Sequence, residues 1–328
     1  MNKMQFPSTS TGTAANITLS HGVNMLQASR SPTLDQAPDT ETVKKLVVLH
    51  TGGTIGMVPG LDGLTPAQGV LEQAIESLSP DDVNVTVLAF DPLVDSAEVS
   101  FTHWNRMIDL ITGSECDGFV ITHGTDTMAF TGAALSLALS GIDVPVVLCG
   151  SMLPLNTGGD AEGNLLLALK AASENRAGVW LAFASKLLPA GGLIKHNSHD
   201  ADAFRSVPQL PEAELPRRCC FKAKHLAILT LSPGLPASAV GAALKKLDGA
   251  VLRVFGAGTV MSDPLLESVL KEAVASGCRI RAVSQCEAGG LHPGAYAAGG
   301  ALWRAGVENG GTETPEAALA RLWIDLSM

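Results

Sequence analysis

Apolar residues follow two rhythms along this chain. From Lys45 onward, short continuous runs rich in Val, Ile and Leu alternate with longer stretches of helical composition. Residues 46–49, 83–90, 118–123, 144–150 and 178–183 read as strands, and 101–112, 127–140 and 164–172 read as helices. Such alternation implies βαβ units and a mostly parallel sheet, whose strands are covered on both faces and so need no polar positions. The rhythm breaks over 207–224, where Pro208, Pro211, Pro216, Arg217-Arg218 and Cys219-Cys220 suit neither element. It resumes with strands at 227–231, 250–255 and 279–285 and helices at 237–247, 264–276 and 315–326. Asp263-Pro264 and Thr314-Pro315 each put a capping side chain ahead of a proline, a helix-start signal.

The predicted class is therefore α/β. A large N-terminal domain (44–207) carries a mostly parallel sheet with helices on both faces, and a smaller C-terminal α/β domain (226–328) follows a linker at 208–225. Residues 1–43, rich in Ser, Thr, Asn and Gln and without an apolar core segment, read as a flexible extension rather than a signal peptide.

Composition closes off several functions. The chain has 328 residues, 46% hydrophobic and 16% charged, which excludes a wholly disordered protein. Its net charge of −10 and its 4% aromatics are poor material for phosphate neutralisation or base stacking, so no nucleic-acid partner is expected. Met128 to Leu155 is the most apolar stretch, but Gly141-Ile142-Asp143-Val144-Pro145 divides it into a helix-length and a strand-length half, so no membrane partner is expected either. A cytoplasmic location follows from the same reading. The six cysteines form no Cys-x-x-Cys pair and the eight histidines no His-Glu-x-x-His, which leaves no metal site of ordinary spacing. The cysteines read as reduced and mostly buried.

In open α/β sheets, ligands bind beyond the carboxyl ends of strands. Three strand-end segments carry suitable chemistry. Thr51-Gly52-Gly53-Thr54-Ile55-Gly56 follows the first strand; it lacks both the Gly-x-Gly start of a dinucleotide fingerprint and the Gly-Lys-Ser/Thr of a phosphate loop. What it offers is two threonine hydroxyls on a backbone that Gly53 and its neighbours allow close to a ligand, although a plain turn has the same composition. Thr122-His123-Gly124-Thr125-Asp126-Thr127 ends one strand and opens a helix, where free N–H groups favour negative charge; Thr125 or Asp126 could equally be a helix cap. Gly192-Leu193-Ile194-Lys195-His196-Asn197 supplies a lysine, either solvated or tuned by a carboxylate for proton transfer. Hydroxyls, carboxylate and ammonium together make a threonine-nucleophile toolkit, since a threonine hydroxyl is inert without activation.

The motifs at 51–56 and 123–127, each after its own strand, resemble the two signatures of bacterial L-asparaginases, and the neighbouring pattern resembles the type I, cytoplasmic branch. Gly118 to Phe130 and Ser284-Gln285-Cys286 also resemble that family, and the likeness runs from about Lys45 to Leu326. The resemblance implies hydrolysis of L-asparagine to L-aspartate and ammonia without a cofactor, with glutaminase activity at most minor. It makes Thr54 the nucleophile, and Thr125, Asp126 and Lys195 a second triad, with Asp126 also holding the substrate amino group. It assigns substrate binding to Ser96 with its neighbour Asp95, to Gly53, and to Ser151 through its backbone carbonyl. It further implies a homodimer or homotetramer in which a neighbour's C-terminal domain completes the site. Some type I relatives are switched by asparagine at a second site. Cys286 matches a cysteine there, while Ile194 replaces the hydroxyl residue expected before the lysine.

Two positions depart from the pattern. Leu64, in Asp62-Gly63-Leu64-Thr65-Pro66, stands where a tyrosine assists the nucleophile, and leucine relays no proton. Thr259, in Phe255-Gly256-Ala257-Gly258-Thr259, stands where an asparagine reaches the neighbour's substrate. The only tyrosine, Tyr296, reads as filling a structural niche. A catalytically weak or inactive, asparaginase-like amino-acid sensor is therefore the alternative reading. An archaeal tRNA-dependent amidotransferase subunit is disfavoured by the acidic balance and the short N-terminal segment.

Overall fold

The computed structural model describes residues 43–61, 63–209 and 219–328. The expected extension at 1–43 falls, up to residue 42, outside them, as do Pro211, Pro216 and Arg217-Arg218 of the expected linker.

The strands are β1 (Lys44–His50), β2 (Met57–Gly60), β3 (Gly63–Pro66), β4 (Val83–Ala89), β5 (Gly118–Thr122), β6 (Pro145–Cys149), β7 (Gly178–Phe183), β8 (Lys186–Pro189), β9 (Leu193–Lys195), β10 (Phe204–Ser206), β11 (Leu226–Thr230), β12 (Gly249–Val254), β13 (Arg279–Ser284) and β14 (Glu308–Asn309). The helices are α1 (Val70–Leu78), α2 (Phe101–Gly113), α3 (Met128–Ala138), α4 (Ala161–Ser173), α5 (Ala237–Leu244), α6 (Pro264–Ala275), α7 (Gly300–Arg304) and α8 (Pro315–Asp325).

Sheet order is β4-β1-β5-β6-β7-β8, parallel from β4 to β7, with β8 closing the edge as an antiparallel hairpin. Alternate residues of the central strands face opposite layers. Val47, Leu49, Phe119, Ile121, Val146 and Leu148 meet α2, α3 and part of α8, while Leu46, Val48, Val120, Val147 and Cys149 meet α1 and α4. That is the two-sided cover that continuous apolar strands require. A second sheet, β11-β12-β13-β14, is parallel throughout. Its faces are covered by α5, α6 and α7 on one side and α8 on the other. Asp263 and Thr314 cap α6 and α8 by accepting from Leu265 N–H and Ala317 N–H, as their sequence predicts.

Helix α8 packs on both β12 and α3, so the two sheets share one element. Trp323 of α8 lies edge-on to Trp104 of α2 and to Phe221, and its indole N–H donates to the Lys222 carbonyl. The parallel order also gathers the ends of β4, β1, β5 and β6 along one edge, where the first two chemistry-bearing segments emerge; the third runs from a 3₁₀ turn (Ala190–Gly192) into β9, outside this sheet.

The cysteines correct an expectation. All six are free, but only Cys149 and Cys278 are buried; Cys116 and Cys219 are half-buried, and Cys220 and Cys286 are exposed. Cys286 stands just past β13, where the chain leaves the sheet and loses its cover. Tyr296 is likewise 61% exposed and fills no core niche. It precedes a tight turn, accepting the Gly299 N–H on its carbonyl.

Candidate active site

Two glycines bring the first loop to the second and third. Gly52 (φ 134°) and Gly53 (φ 94°) both lie in the left-handed half of backbone space. A Cβ on Gly52 would stand 2.3 Å from the Val94 carbonyl oxygen, and one on Gly53 would stand 2.6 Å from the Gly124 nitrogen. Backbone therefore packs on backbone where Gly53 meets Gly124, and the half-buried Thr54 follows directly, opening a 3₁₀ turn with Ile55 and Gly56. Thr51 pins the same junction by donating its hydroxyl to the Thr122 carbonyl (2.7 Å). His50 adds a buried contact to Thr122 Oγ1 (2.7 Å), and burial pushes its imidazole below the usual pKa, with Glu72 opposing.

Ser96 arrives from the segment after β4. Its side chain is buried, and a Cβ on Gly124 would lie 2.6 Å from its Oγ. Thr127 holds it there by donating to the Ser96 carbonyl (2.7 Å). Asp95 is engaged locally: its exposed carboxylate accepts the Ala97 N–H and caps the Ser96–Glu98 turn.

Lys195, at the end of β9, donates to Thr125 Oγ1 (2.8 Å) and to Asp126 Oδ1 (2.6 Å). The lysine is largely covered (18% exposed) while the aspartate is open (72%), so the ammonium is held from the protein side and the carboxylate faces outward. Neither Thr125 nor Asp126 caps α3, whose N-cap is Thr127 without a side-chain capping bond. Both are committed to the lysine instead.

Ser151 follows β6, and its buried hydroxyl donates to the Leu153 carbonyl (2.5 Å). A bracket that composition alone does not reveal shapes this turn. Asp160 accepts from the Met152 and Leu153 N–H groups, and Asn164 donates to the Gly150 carbonyl and accepts from Ala184 N–H. The readable signal was the i,i+4 pair Asp160/Asn164 heading a helix, which invites exactly such a side-chain link and carries it at 3.0 Å.

The departures from the expected pattern are also placed. Leu64, on the β2–β3 hairpin, is 45% exposed. Thr259 turns its hydroxyl back onto the Phe255 carbonyl (3.3 Å), closing its own loop. Lys195 also borders a cavity of about 640 Å³ shared with Ile194, Arg253, Cys286, Glu313 and Glu316. Among the described residues no cluster of His, Cys, Asp and Glu has the arrangement to hold a metal ion.

Comparison with known proteins identifies the family. Residues 45–225 fit the family profile described as "Asparaginase, N-terminal", and residues 225–327 the "Glutaminase/Asparaginase C-terminal domain". The chain is 33% identical over 311 residues to L-asparaginase 1 of Escherichia coli K12, covering 87% of this chain and 92% of that one. Among solved structures, L-asparaginase I from Vibrio cholerae superposes with a TM-score of 0.77 at 31% identity (87% and 93% covered). The thermostable L-asparaginase from Thermococcus kodakarensis gives 0.76 at 30% (86% and 93%).

Proposed function

The chain belongs to the asparaginase family, type I branch, and from that premise we propose that it hydrolyses L-asparagine to L-aspartate and ammonia with Thr54 as nucleophile. What supports this reading is the close approach of the Gly53 and Gly124 backbones, which brings the loop that carries Thr54 against the loop whose Thr125 and Asp126 are hydrogen-bonded to Lys195.

In the first half-reaction Thr54 Oγ1 adds to the side-chain amide carbon, the C–N bond breaks, and the hydroxyl proton ends on the departing nitrogen as ammonia. Water then attacks the acyl-enzyme, releasing aspartate and restoring the hydroxyl. Asp126, with its carboxylate outward, suits the substrate's ammonium; Ser96, buried against Gly124, suits its α-carboxylate. Ser151 presents its carbonyl to the amide. An N–H donor aimed at the oxyanion is worth about 2.7–4 kcal/mol, and the Thr125 N–H, which has no intramolecular acceptor among the described residues, suits that role. A homodimer or homotetramer in the cytoplasm, with the 226–328 domain of a neighbour closing the site, follows from the same family resemblance.

Ammonia release from L-asparagine, L-glutamine and D-asparagine tests the proposal. L-Asparagine is expected to be the preferred substrate, and Thr54→Ala is expected to lose at least about 1,000-fold in kcat with its fold intact. Near-normal turnover by Thr54→Ala would remove the assignment. Leu64 and Thr259 favour a second reading, a pocket that binds without turnover; calorimetric binding of aspartate with no ammonia release is its signature.

A further inference from the structure

Behind the 123–127 loop runs a buried chain of hydrogen bonds that the reaction scheme does not use. Trp104 of α2 places its indole Nε1 3.0 Å from Thr131 Oγ1 of α3; that oxygen lies 2.9 Å from His123 Nε2; and His123 Nδ1 lies 2.7 Å from the Gly124 carbonyl oxygen. Trp104, Thr131 and His123 are all almost wholly buried.

The distances and the burial of the ring together select one arrangement of protons. The indole nitrogen can only donate, and a carbonyl oxygen can only accept. At 2.7 Å a bare Nδ1 would set lone pair against lone pair, so Nδ1 must carry a proton. Burial drives His123 down to a pKa of about 4, with His103 adding to the fall and the Gly124 bond opposing it, so the ring is neutral near pH 7. Nε2 is then bare and accepts from Thr131, whose oxygen accepts in turn from Trp104. The chain runs one way: indole to hydroxyl to imidazole to carbonyl.

Its end point matters because a peptide is planar and trans. The Gly124 carbonyl and the Thr125 N–H belong to one peptide unit and point in opposite directions. Anchoring the carbonyl on a buried ring turns the N–H away from the interior. Gly124 is itself wedged between Gly53 and Ser96, so this peptide borders the residues read above as nucleophile loop and carboxylate site.

We propose that His123, oriented by Thr131 and Trp104, is a positioning residue that aims the Thr125 N–H at the oxyanion of the reacting amide. The inference rests on the asparaginase reading of the site. The histidine touches no substrate; it acts through the peptide it holds. A group of this kind affects the transition state, where negative charge develops on oxygen, more than the ground-state complex, and so acts on kcat rather than KM.

Two pairs of variants and two NMR measurements test it. His123→Leu and Thr131→Val remove the donor to Gly124 and the donor to the ring; each is expected to lower kcat about 10- to 100-fold with KM changed less than about threefold. His123→Asn, whose amide nitrogen stands near the Nδ1 position, and Thr131→Ser are expected to stay within about threefold of the parent. In the unmodified protein, imidazole ¹⁵N resonances should show His123 protonated at Nδ1 and bare at Nε2. The Thr125 amide proton should move downfield as L-aspartate is added, a readout that needs no turnover.

Wild-type kcat in both His123→Leu and Thr131→Val, equal losses in His123→Leu and His123→Asn, or an Nε2–H ring would overturn the proposal while leaving the asparaginase reading intact. Absence of ammonia release would overturn the asparaginase reading and the oxyanion role with it, and a Thr125 amide that still responds to aspartate would then mark only a peptide facing the ligand. No response of that amide in a protein that releases ammonia would overturn the positioning role alone.

Discussion

His50 and His123 show how single residues tie the site to the stability of the fold. Both rings are buried and both titrate below the ordinary histidine value of 6.5, His123 at about 4, because burial penalises the charged form. As pH falls below 6.5 the unfolded chain takes up protons that the folded chain refuses, so the native state loses stability from about 6.5 down to the folded value. For His123 the loss amounts to about 3 kcal/mol at most, and His50 adds to it with the same sign. Urea unfolding at pH 7.5 and pH 4.5 should therefore give a lower midpoint in acid, with the gap narrowed in His123→Asn; equal midpoints would contradict the burial of these rings as neutral species. Leu64 raises a separate question at the same scale, since it stands where the resemblance implies a proton-relaying tyrosine. Leu64→Tyr is expected to raise kcat at least about tenfold if the β2–β3 hairpin lies over the nucleophile, and an unchanged kcat would place the relay elsewhere.

At the level of elements, the site is a consequence of strand order. Placing β1 between β4 and β5, with β6 next, brings four carboxyl ends together, and the loops that leave them meet backbone to backbone. Gly53 is where the first loop meets the 123–127 loop. Gly53→Ala forces a side chain into a left-handed position, costing about 1–2 kcal/mol, and pushes its Cβ against the Gly124 nitrogen. Parting the loops by about an ångström is expected to cost about 100-fold in kcat/KM. The same change at Gly63, where a Cβ meets open space, should leave activity far less affected; equal effects at the two positions would argue against the loop contact. The strands and most helices were legible in the sequence because a parallel sheet writes itself as unbroken apolar runs between helices. The signature loops were legible because glycines and hydroxyls cluster at strand ends. The hairpin β2–β3 and the short β8, β9 and β10 were not, because three- and four-residue strands with exposed or mixed faces carry no period. Helix α1 was missed as well: its Glu72, Glu76 and Ser77 face outward and only Leu71 and Ile75 are fully buried, too few to announce a stripe. The i,i+4 spacing of Asp160 and Asn164 was legible, but the backbone groups they bracket and the His123–Thr131–Trp104 chain stayed hidden, since those partners are joined by tertiary contact rather than spacing.

Over the whole molecule, α8 serves two sheets and Trp323 joins an aromatic cluster with Phe101, Trp104 and Phe221, so the helix that covers the C-terminal sheet also buttresses α2 and α3 behind the site. No helix among the described residues is long and apolar enough to cross a membrane. What the entire fold has to achieve is the convergence of residues from the ends of β1, β5 and β9 into one working unit. A double-mutant comparison of kcat/KM for ammonia release from L-asparagine, using Thr54→Ala, Lys195→Met and the two combined, reads that convergence directly. Residues acting as a unit lose most of their effect at the first deletion, so the combined variant is expected to be no slower than the worse of the two single ones. Losses that multiply independently, or a Lys195→Met enzyme with undiminished turnover, would contradict it.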